Sequence, residues 1–258
     1  MSEHVVLNRQ REFRVAPNLC ALGIMTKAPQ AGKVKTRLVP PLTPEEAAEL
    51  NTCFLRDLAG SISQACLESS ARGVGVYTPL GSESVYESIL PTDFFLMPQY
   101  GHNFGERLIS AAEDLFKVGF ESLCLINSDS PTVPASSFAE AANALAKAGD
   151  RIVLGPSDDG GYYLIGLKKL YKGLFEQIDW STERVFDQTK QRASEIGVEV
   201  HQLPRGFDVD ERGMLQQLCN KLLGPEARPP SNVAPNTRKF LSEIVAREGR
   251  DRIWPETK

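Results

Sequence analysis

Four cations stand close together near the N-terminal end of the chain, at Lys27, Lys33, Lys35 and Arg37, with no acidic residue among them. Cations neutralise a diphosphate, and an arginine can bind it through two parallel hydrogen bonds. Gly32 lies within the same segment and lets a ligand approach the backbone closely. The segment lacks the spacing of a Walker loop. A solvated basic loop is the alternative, but such a local charge favours a phosphate-binding loop.

Carboxylates of the kind that bind a hard metal ion occur in two later segments. Asp129 belongs to NSDSPT, and Asp208 and Asp210 alternate in FDVDERG. Residues two apart on an extended segment lie on one side, so this pair could share one Mg²⁺ or Mn²⁺ with Asp129. The structural alternatives are an Asx turn at Asp129 and a helix N-cap at Asp210.

A third acidic segment, GPSDDGGYYLIGL, places Asp158 and Asp159 directly before Gly160 and Gly161. Two adjacent carboxylates are unfavourable unless they are exposed, bound to a cation or catalytic. We therefore expect one of them to act as a catalytic base, while the glycines pass beneath a sugar or a base. A hairpin turn of the Asp-Gly type is the alternative.

A further polar group lies before and within the segment YGHNFGER. Gln99, Gly105 and Arg107 are candidates for contacts with a nucleotide base or ribose. We expect Glu106 to take part in capping a helix with Asn103, and so to have no part in ligand binding.

These segments must be positioned by alternating strands and helices. Short apolar runs predict strands at 19–26, 73–77, 94–97, 122–127, 152–154, 162–167 and 198–202. Thr43 and Glu46 predict a capping box at the start of a helix, with Pro44 at its first position. Helices are also predicted after Asn103, at 138–148 and at 182–196. This alternation predicts an α/β fold whose mostly parallel sheet is covered on both faces. In such sheets ligands bind at the carboxyl ends of the strands.

The predicted domain runs from residue 19 to 223, between an N-terminal extension at 1–18 and a tail at 224–258. The tail opens with the Pro-rich stretch at 224–236, which is typical of a linker. Phe240, Leu241, Ile244 and Val245 then predict a short amphipathic helix. Its apolar face could pack on the same chain or on a second copy, so a homo-oligomer through this helix is possible.

Composition excludes several classes of protein. The 258 residues contain 29 Lys and Arg against 33 Asp and Glu, a formal net charge of −4. This balance argues against a nucleic-acid binder. The five cysteines form no C-x-x-C pair, and no stretch resembles a signal peptide or a membrane span. We expect a cytoplasmic protein with no membrane partner.

The motifs TKAPQAGKVKTRL, PLTPEEAAEL, FGERL, NSDSPT, GPSDDGGYYLIGL, FEQIDWST and FDVDERGML occur in this order. Together they resemble the DUF2064 family, and through it the nucleotide-diphospho-sugar transferases of the GT-A type, including selenodomain-associated and arsenosugar-biosynthesis glycosyltransferases. The resemblance covers about residues 20–223 and implies a three-layer α/β/α, Rossmann-like fold with a mixed sheet. A weaker similarity, in AGKVKTRLVPPLTPEE, extends to the 2-phospholactate guanylyltransferases.

The resemblance implies a phosphate role for Lys27, Lys35 and Arg37, and a metal role for Asp129 and Asp208. The chain departs from the D-x-D-x-x-x-D-L element of related nucleotidyltransferases, because Arg212 and Gly213 stand where that element continues toward an acidic residue and Leu.

Three functions are compatible with these residues. The leading expectation is a metal-dependent transfer of a sugar from a nucleotide-diphospho-sugar to a small acceptor, with Asp158 or Asp159 deprotonating the acceptor hydroxyl. The first alternative is nucleotidyl transfer from a nucleoside triphosphate, which would release pyrophosphate. The second is a non-catalytic nucleotide-binding protein.

Overall fold

A computed structural model describes residues 4–8, 15–224, 230 and 232–254. Its centre is a seven-stranded sheet. The strands are β1 (Cys20–Lys27), β2 (Ala71–Thr78), β3 (Phe95–Pro98), β4 (Ser122–Asn127), β5 (Arg151–Pro156), β6 (Tyr162–Leu167) and β7 (Glu199–Gln202). The bounds predicted for β4 and β6 match those of the structure, and the bounds of the other strands differ by at most two residues. Short apolar runs form strands here because both faces of the sheet are buried.

The strand order is β3-β2-β1-β4-β6-β5-β7. β6 runs antiparallel to both of its neighbours, and all other neighbouring strands pair in parallel. The predicted α/β class with a mostly parallel, mixed sheet is therefore confirmed. As a result, β1, β4, β5 and β7 end at the same edge of the sheet.

The helices are α1 (Pro44–Leu67), α2 (Glu83–Tyr86), α3 (Phe104–Lys117), α4 (Ala135–Ala146), α5 (Val185–Glu195), α6 (Arg212–Leu223) and α7 (Pro235–Glu248). The predicted capping box opens α1: the backbone N–H of Glu46 donates to Thr43 Oγ1 at 3.2 Å, and that of Thr43 donates to Glu46 Oε2 at 2.9 Å. Asn103 caps α3 as predicted, since its side chain accepts from the Glu106 N–H at 2.9 Å.

The sheet lies between two layers of helices. On one face, Leu22 and Ile24 of β1 share an apolar cluster with residues of α1 and α4. On the other, Ala21 shares a cluster with residues of α3 and α5. Because successive strand residues point to opposite faces, one strand contributes to both layers. This is the three-layer arrangement that the sequence predicted.

A third apolar cluster lies beside the sheet and includes the C-terminal helix. Leu38, Phe54, Val209, Leu241 and Ile244 all belong to it. It therefore joins α1 and α7 to the segment after the basic loop and to the segment that precedes α6. The apolar face of α7 is used within the chain, and the core extends past the predicted boundary at 223/224.

Asp57 of α1 fixes the start of α7. Its carboxylate is 4% exposed. It accepts from the Asn236 N–H at 2.9 Å, the Asn236 Nδ2 at 2.8 Å and the Thr237 N–H at 2.9 Å. A buried carboxylate thus satisfies backbone donors that would otherwise lack partners at a helix N-terminus. At the other end of α7, Arg247 and Arg252 pair with Glu46.

The two predicted terminal segments are only partly described. Residues 1–3 and 9–14 of the N-terminal extension and residues 225–229, 231 and 255–258 of the tail lie outside the described residues. Leu7 donates its N–H to the Leu96 carbonyl at 2.7 Å, so the start of the chain pairs with β3. Pro235 already belongs to α7, which corrects the predicted end of the Pro-rich stretch. Across the described ranges, no helix combines the length and apolarity needed to cross a bilayer.

Candidate functional site

A cleft of about 680 Å³ opens at the edge where β1, β4 and β5 end. Its lining includes many of the predicted site residues: Lys27, Lys33, Lys35, Arg37, Asp129, Asp159, Gly161, Asp208 and Asp210. The predicted residues outside this lining are Gly32, Gln99, Gly105, Arg107, Asp158 and Gly160. The topology thus brings the basic loop and all three acidic segments together, as parallel strands that end at one edge require.

The basic loop presents exposed cations to the cleft. Among the described residues, no carboxylate lies within 4 Å of the ammonium of Lys27 or Lys33, and Arg37 is 71% exposed with only Glu211 nearby, at 3.7 Å. Gly32 adopts a φ of 71°, a backbone conformation that residues with a side chain rarely adopt. The turn therefore explains why a glycine occurs at this position. Three cations are therefore available to an anionic ligand.

Lys35 differs from its neighbours in the loop because its side chain is only 4% exposed. Its ammonium lies 2.6 Å from Asp129 Oδ1 and donates to Asp210 Oδ1 at 2.9 Å and to the Val209 carbonyl at 2.8 Å. Burial alone would lower the pKa of Lys35, but the charges of Asp129 and Asp210 outweigh it and raise that pKa. The residue is a permanent cation, and protein oxygens occupy its donors.

Asp129 and Asp208 approach each other through the backbone, since the Val209 N–H donates to the Asp129 carbonyl at 2.9 Å. Ser157 Oγ donates to Asp208 Oδ1 at 2.6 Å. Burial, with smaller contributions from the charges of Asp159 and Asp210, raises the pKa of Asp208 despite this hydrogen bond. Asp208 is therefore a carboxylate held under unfavourable electrostatic conditions inside the cleft.

The three predicted metal ligands do not form one group, although two of them meet at Lys35. In the described parts of the chain, no group of three or more His, Cys, Asp or Glu side chains is placed to hold a metal ion. The Lys35 ammonium, in contact with Asp129 and Asp210, already supplies a positive charge to two of the three aspartates. Asp210 does not cap α6 either, because Glu211 holds that position without a side-chain hydrogen bond. Its contact with Lys35 replaces the capping role.

The turn at residues 157–161 separates the two candidate bases. Asp159 lines the cleft and its Oδ1 accepts from the Gly161 N–H at 2.9 Å, whereas Asp158 lies outside the lining, with Arg205 at 3.9 Å. Gly160 has a φ of 85°, and a Cβ there would come within 2.1 Å of the Glu183 carbonyl oxygen. The same turn joins the antiparallel strands β5 and β6, so it is also the hairpin turn that was the structural alternative.

Gln99, Gly105 and Arg107 serve the packing around the cleft. Gln99 Nε2 donates to the Val76 carbonyl at 3.4 Å. A Cβ on Gly105 would lie 3.0 Å from Trp180 Nε1, so this glycine leaves room for the indole. The Arg107 guanidinium lies 6.0 Å from the ring of Phe104. Gly105 and Arg107 thus approach the cleft lining through the rings of Trp180 and Phe104, whereas the hydrogen bond of Gln99 does not involve a lining residue.

One wall of the cleft was not predicted from the sequence; it is formed by Trp180, Ser181, Thr182 and Glu183. The Trp180 ring meets the ring of Phe104, another lining residue, edge to face with centroids 5.1 Å apart. A signal was present, because FEQIDWST is one of the motifs in the family resemblance. Its role was not assigned, since nothing local shows that a loop before α5 reaches the carboxyl edge of the sheet.

Asn51 of α1 also lines the cleft and was not predicted from the sequence. It is 3% exposed, and its Oδ1 has no hydrogen-bond partner among the described residues. Buried polar atoms without partners are uncommon in folded proteins. Asn51 lies three residues before Phe54, whose ring centroid is 5.4 Å from the Lys35 ammonium.

Comparison with known sequences finds a family model that matches the middle part of the chain. Residues 62–182 match the profile of DUF2064, described as an uncharacterized protein conserved in bacteria. The DUF2064 resemblance is confirmed. The matched DUF2064 region holds Asp129 and the turn with Asp158 and Asp159. Among the curated proteins, none matched this sequence.

Several solved structures are similar to this chain over most of their own length. A protein from Desulfovibrio desulfuricans G20, provisionally assigned as a nucleotide-diphospho-sugar transferase, is 29% identical, covers 91% of this chain and 99% of its own, and superposes with a TM-score of 0.76. A cytidylyltransferase from Leptospira borgpetersenii is 9% identical, with coverage of 94% and 99% and a TM-score of 0.49. Rv0371c from Mycobacterium tuberculosis in complex with manganese is 14% identical, with coverage of 79% and 98% and a TM-score of 0.43.

Proposed function

We propose that this chain is a transferase that binds a nucleotide-diphospho-sugar in the cleft and transfers the sugar to a small acceptor. The observation that carries the proposal is the set of exposed cations, Lys27, Lys33 and Arg37, that lines the same cleft as Asp159. The assignment of the 29% identical Desulfovibrio protein supports it.

The cations are the proposed diphosphate site. Arg37 can bind two phosphate oxygens through its guanidinium, while Lys27 and Lys33 contribute point charges. Each becomes more effective as negative charge develops on the departing nucleoside diphosphate, because fixed cations stabilise charge that appears in the transition state. Lys35, which the sequence placed in the same group, supports the loop by its contacts with Asp129 and Asp210.

Asp159 is the proposed base. Its contact with the Gly161 N–H holds the carboxylate at the cleft, where it can take the proton of an acceptor hydroxyl. The acceptor oxygen then forms a bond to the anomeric carbon as the bond from that carbon to the diphosphate breaks. The leaving group is the nucleoside diphosphate. This course is inverting.

Mg²⁺ or Mn²⁺ at Asp129 and Asp208 stays a prediction. When bound, a divalent ion would neutralise phosphate charge as a Lewis acid. No step above passes through it, because the described carboxylates do not form a ligand set. Activity measured with Mn²⁺ and with EDTA tests this part of the proposal separately.

Calorimetry with UDP-, GDP- and ADP-sugars tests donor binding. We expect one donor to bind, and we expect Arg37→Ala to weaken it about 10-fold through loss of a charge-assisted hydrogen bond. Lys239→Ala is the matched control, because Lys239 is a 78% exposed cation on α7. Absence of binding to every donor would overturn the proposal.

Product analysis then distinguishes the reactions. Release of nucleoside diphosphate with a small acceptor supports sugar transfer. Release of pyrophosphate from a nucleoside triphosphate would assign nucleotidyl transfer instead, since the same cations could hold a triphosphate. Binding without turnover in the presence of a range of acceptors would favour a nucleotide-binding protein.

A further inference from the structure

Lys35 is surrounded by oxygen atoms. Its ammonium has three N–H donors, and three oxygens lie within 3 Å: Asp129 Oδ1 at 2.6 Å, Asp210 Oδ1 at 2.9 Å and the Val209 carbonyl at 2.8 Å. The side chain is 4% exposed, so no donor is left to solvent. A lysine in this state does not reach a phosphate unless it first leaves both carboxylates.

The backbone is shaped around this contact. Lys35 has a φ of 48°, in the left-handed region that non-glycine residues rarely adopt. Such a conformation persists when the surrounding structure holds it in place. Lys33, two residues earlier in the same loop, is exposed and has no carboxylate within 4 Å among the described residues. The loop thus separates one buried internal cation from neighbours that face the ligand.

The oxygens around Lys35 are those that a hard divalent cation prefers, namely two carboxylates and a backbone carbonyl. Asn51 adds an independent observation. It lines the same cleft, is 3% exposed, and its Oδ1 has no donor among the described residues. It stands one helical turn before Phe54, whose ring centroid is 5.4 Å from the Lys35 ammonium.

We infer that Lys35 takes the place of a divalent cation between Asp129 and Asp210, so that the protein alone binds Mg²⁺ or Mn²⁺ weakly until the ammonium is removed. A metal ion near Nζ would be repelled by a full positive charge at close range. Without the ammonium, the same carboxylates lose their counter-charge and attract the ion. The inference rests on this geometry and not on which transfer the protein performs.

The test is a titration with Mn²⁺ alone. Binding is measured by the loss of the free-ion signal in electron paramagnetic resonance. Lys35→Gln removes the charge but keeps an amide that can donate to the carboxylates. We expect it to bind one Mn²⁺ at least about 10-fold more tightly than the wild type. Lys33→Gln is the matched control, because it removes the same charge two residues away, and we expect wild-type affinity.

A double variant locates the site. Lys35→Gln with Asp210→Asn should return to the weak binding of the wild type, since the gained site loses one of its carboxylates. Equal Mn²⁺ affinity of Lys35→Gln and wild type would overturn the inference, as would a gain that persists in the double variant.

A measurement on the unaltered protein covers the case in which the variants do not fold. The ¹⁵N resonance of the Lys35 ammonium should stay unchanged when Mg²⁺ is added at millimolar concentration. A shift that saturates with Mg²⁺ would show that the ion binds beside Lys35, which contradicts the inference. No nucleotide is present in these experiments, so their failure is distinct from failure of the proposed function.

Discussion

Two buried aspartates, Asp57 and Asp208, show how the same side chain serves different ends in two regions of this molecule. Asp57 is 4% exposed and accepts three N–H donors at the start of α7. Asp208 is 8% exposed and accepts one hydroxyl, from Ser157, while the charges of Asp159 and Asp210 act on it. Similar burial therefore gives one carboxylate that is stabilised by three N–H donors and one whose charge is poorly compensated.

This difference between the two carboxylates indicates which region stabilises the fold and which region is suited to chemistry. A buried charge with all its hydrogen bonds fixes structure, whereas one held among like charges is typical of functional sites. The region of α1 and α7 belongs to the first kind and the cleft to the second. Substitutions in the first should change the free energy of unfolding, and substitutions in the second should change activity.

The largest effect should come from the proposed base. Asp159→Asn is expected to lower kcat about 10²–10⁴-fold, because the amide cannot accept the acceptor proton. Asp158→Asn, one residue away and outside the cleft lining, should keep near wild-type kcat. Steady-state kinetics measures both. Equal loss in the two variants would mean that the turn, and not the Asp159 carboxylate, matters for activity.

Asp57→Ala should lower the free energy of unfolding by about 3 kcal/mol, because it leaves buried N–H donors of α7 without an acceptor. Urea unfolding measures the change. Glu49→Ala serves as the control, since Glu49 is a half-exposed acid of the same helix, paired with Arg56 at 3.7 Å. A loss below about 1 kcal/mol would show that the cap is not what holds α7 in place.

Glu46→Gln should lower the free energy of unfolding by about 1 kcal/mol at neutral pH, the upper end of the range for an ion pair near the protein surface. Burial acts to raise the pKa of Glu46, but the hydrogen bond and charge of Arg252 lower it overall. An acid with a lowered folded pKa stabilises the protein above its unfolded pKa and loses this contribution as the pH falls. The difference in stability between Glu46→Gln and the wild type should therefore shrink as the pH falls. Thermal unfolding of both proteins between pH 7 and pH 3 measures it.

Asp208→Asn should give the smallest change, with the opposite sign. Burial raises the pKa of Asp208, so ionisation at neutral pH destabilises the fold. The amide keeps an oxygen that can accept from Ser157 and removes the charge, so Tm at pH 7 should rise. The gain in Tm should disappear at a pH below the pKa of Asp208 in the unfolded chain, where residue 208 is uncharged in both proteins. A lower Tm at pH 7 would break the comparison with Asp57.

Much of the fold could be predicted because its signals are local. The run Ser122–Asn127 is apolar and bounded by polar residues, and Thr43 with Glu46 specifies where α1 begins. The carboxyl-edge rule then brought the basic loop beside the acidic segments, which the cleft confirms as a spatial arrangement. The assignment of a role to each residue needed more than spacing.

The remaining features depend on contacts between residues far apart in the chain. Lys35 and Asp210 are 175 positions apart, and Asp57 and Thr237 are 180 apart. No periodicity or motif indicates such a pairing, so the sequence predicted Lys35 to be an exposed cation like Lys27 and Lys33. The wall at Trp180 was missed for the same reason, since its position depends on Phe104 of α3.

The apolar cluster that holds α7 has a consequence for how the cleft is completed. Leu38 follows the basic loop directly, Val209 separates two cleft aspartates, and both share that cluster with Leu241, Ile244 and Trp254. Removing the residues after Gly224 would delete no lining residue, yet it would expose the apolar anchors of two walls. We therefore expect the cleft to take its final shape late in translation, once residues 234–254 have left the ribosome and can pack against these walls.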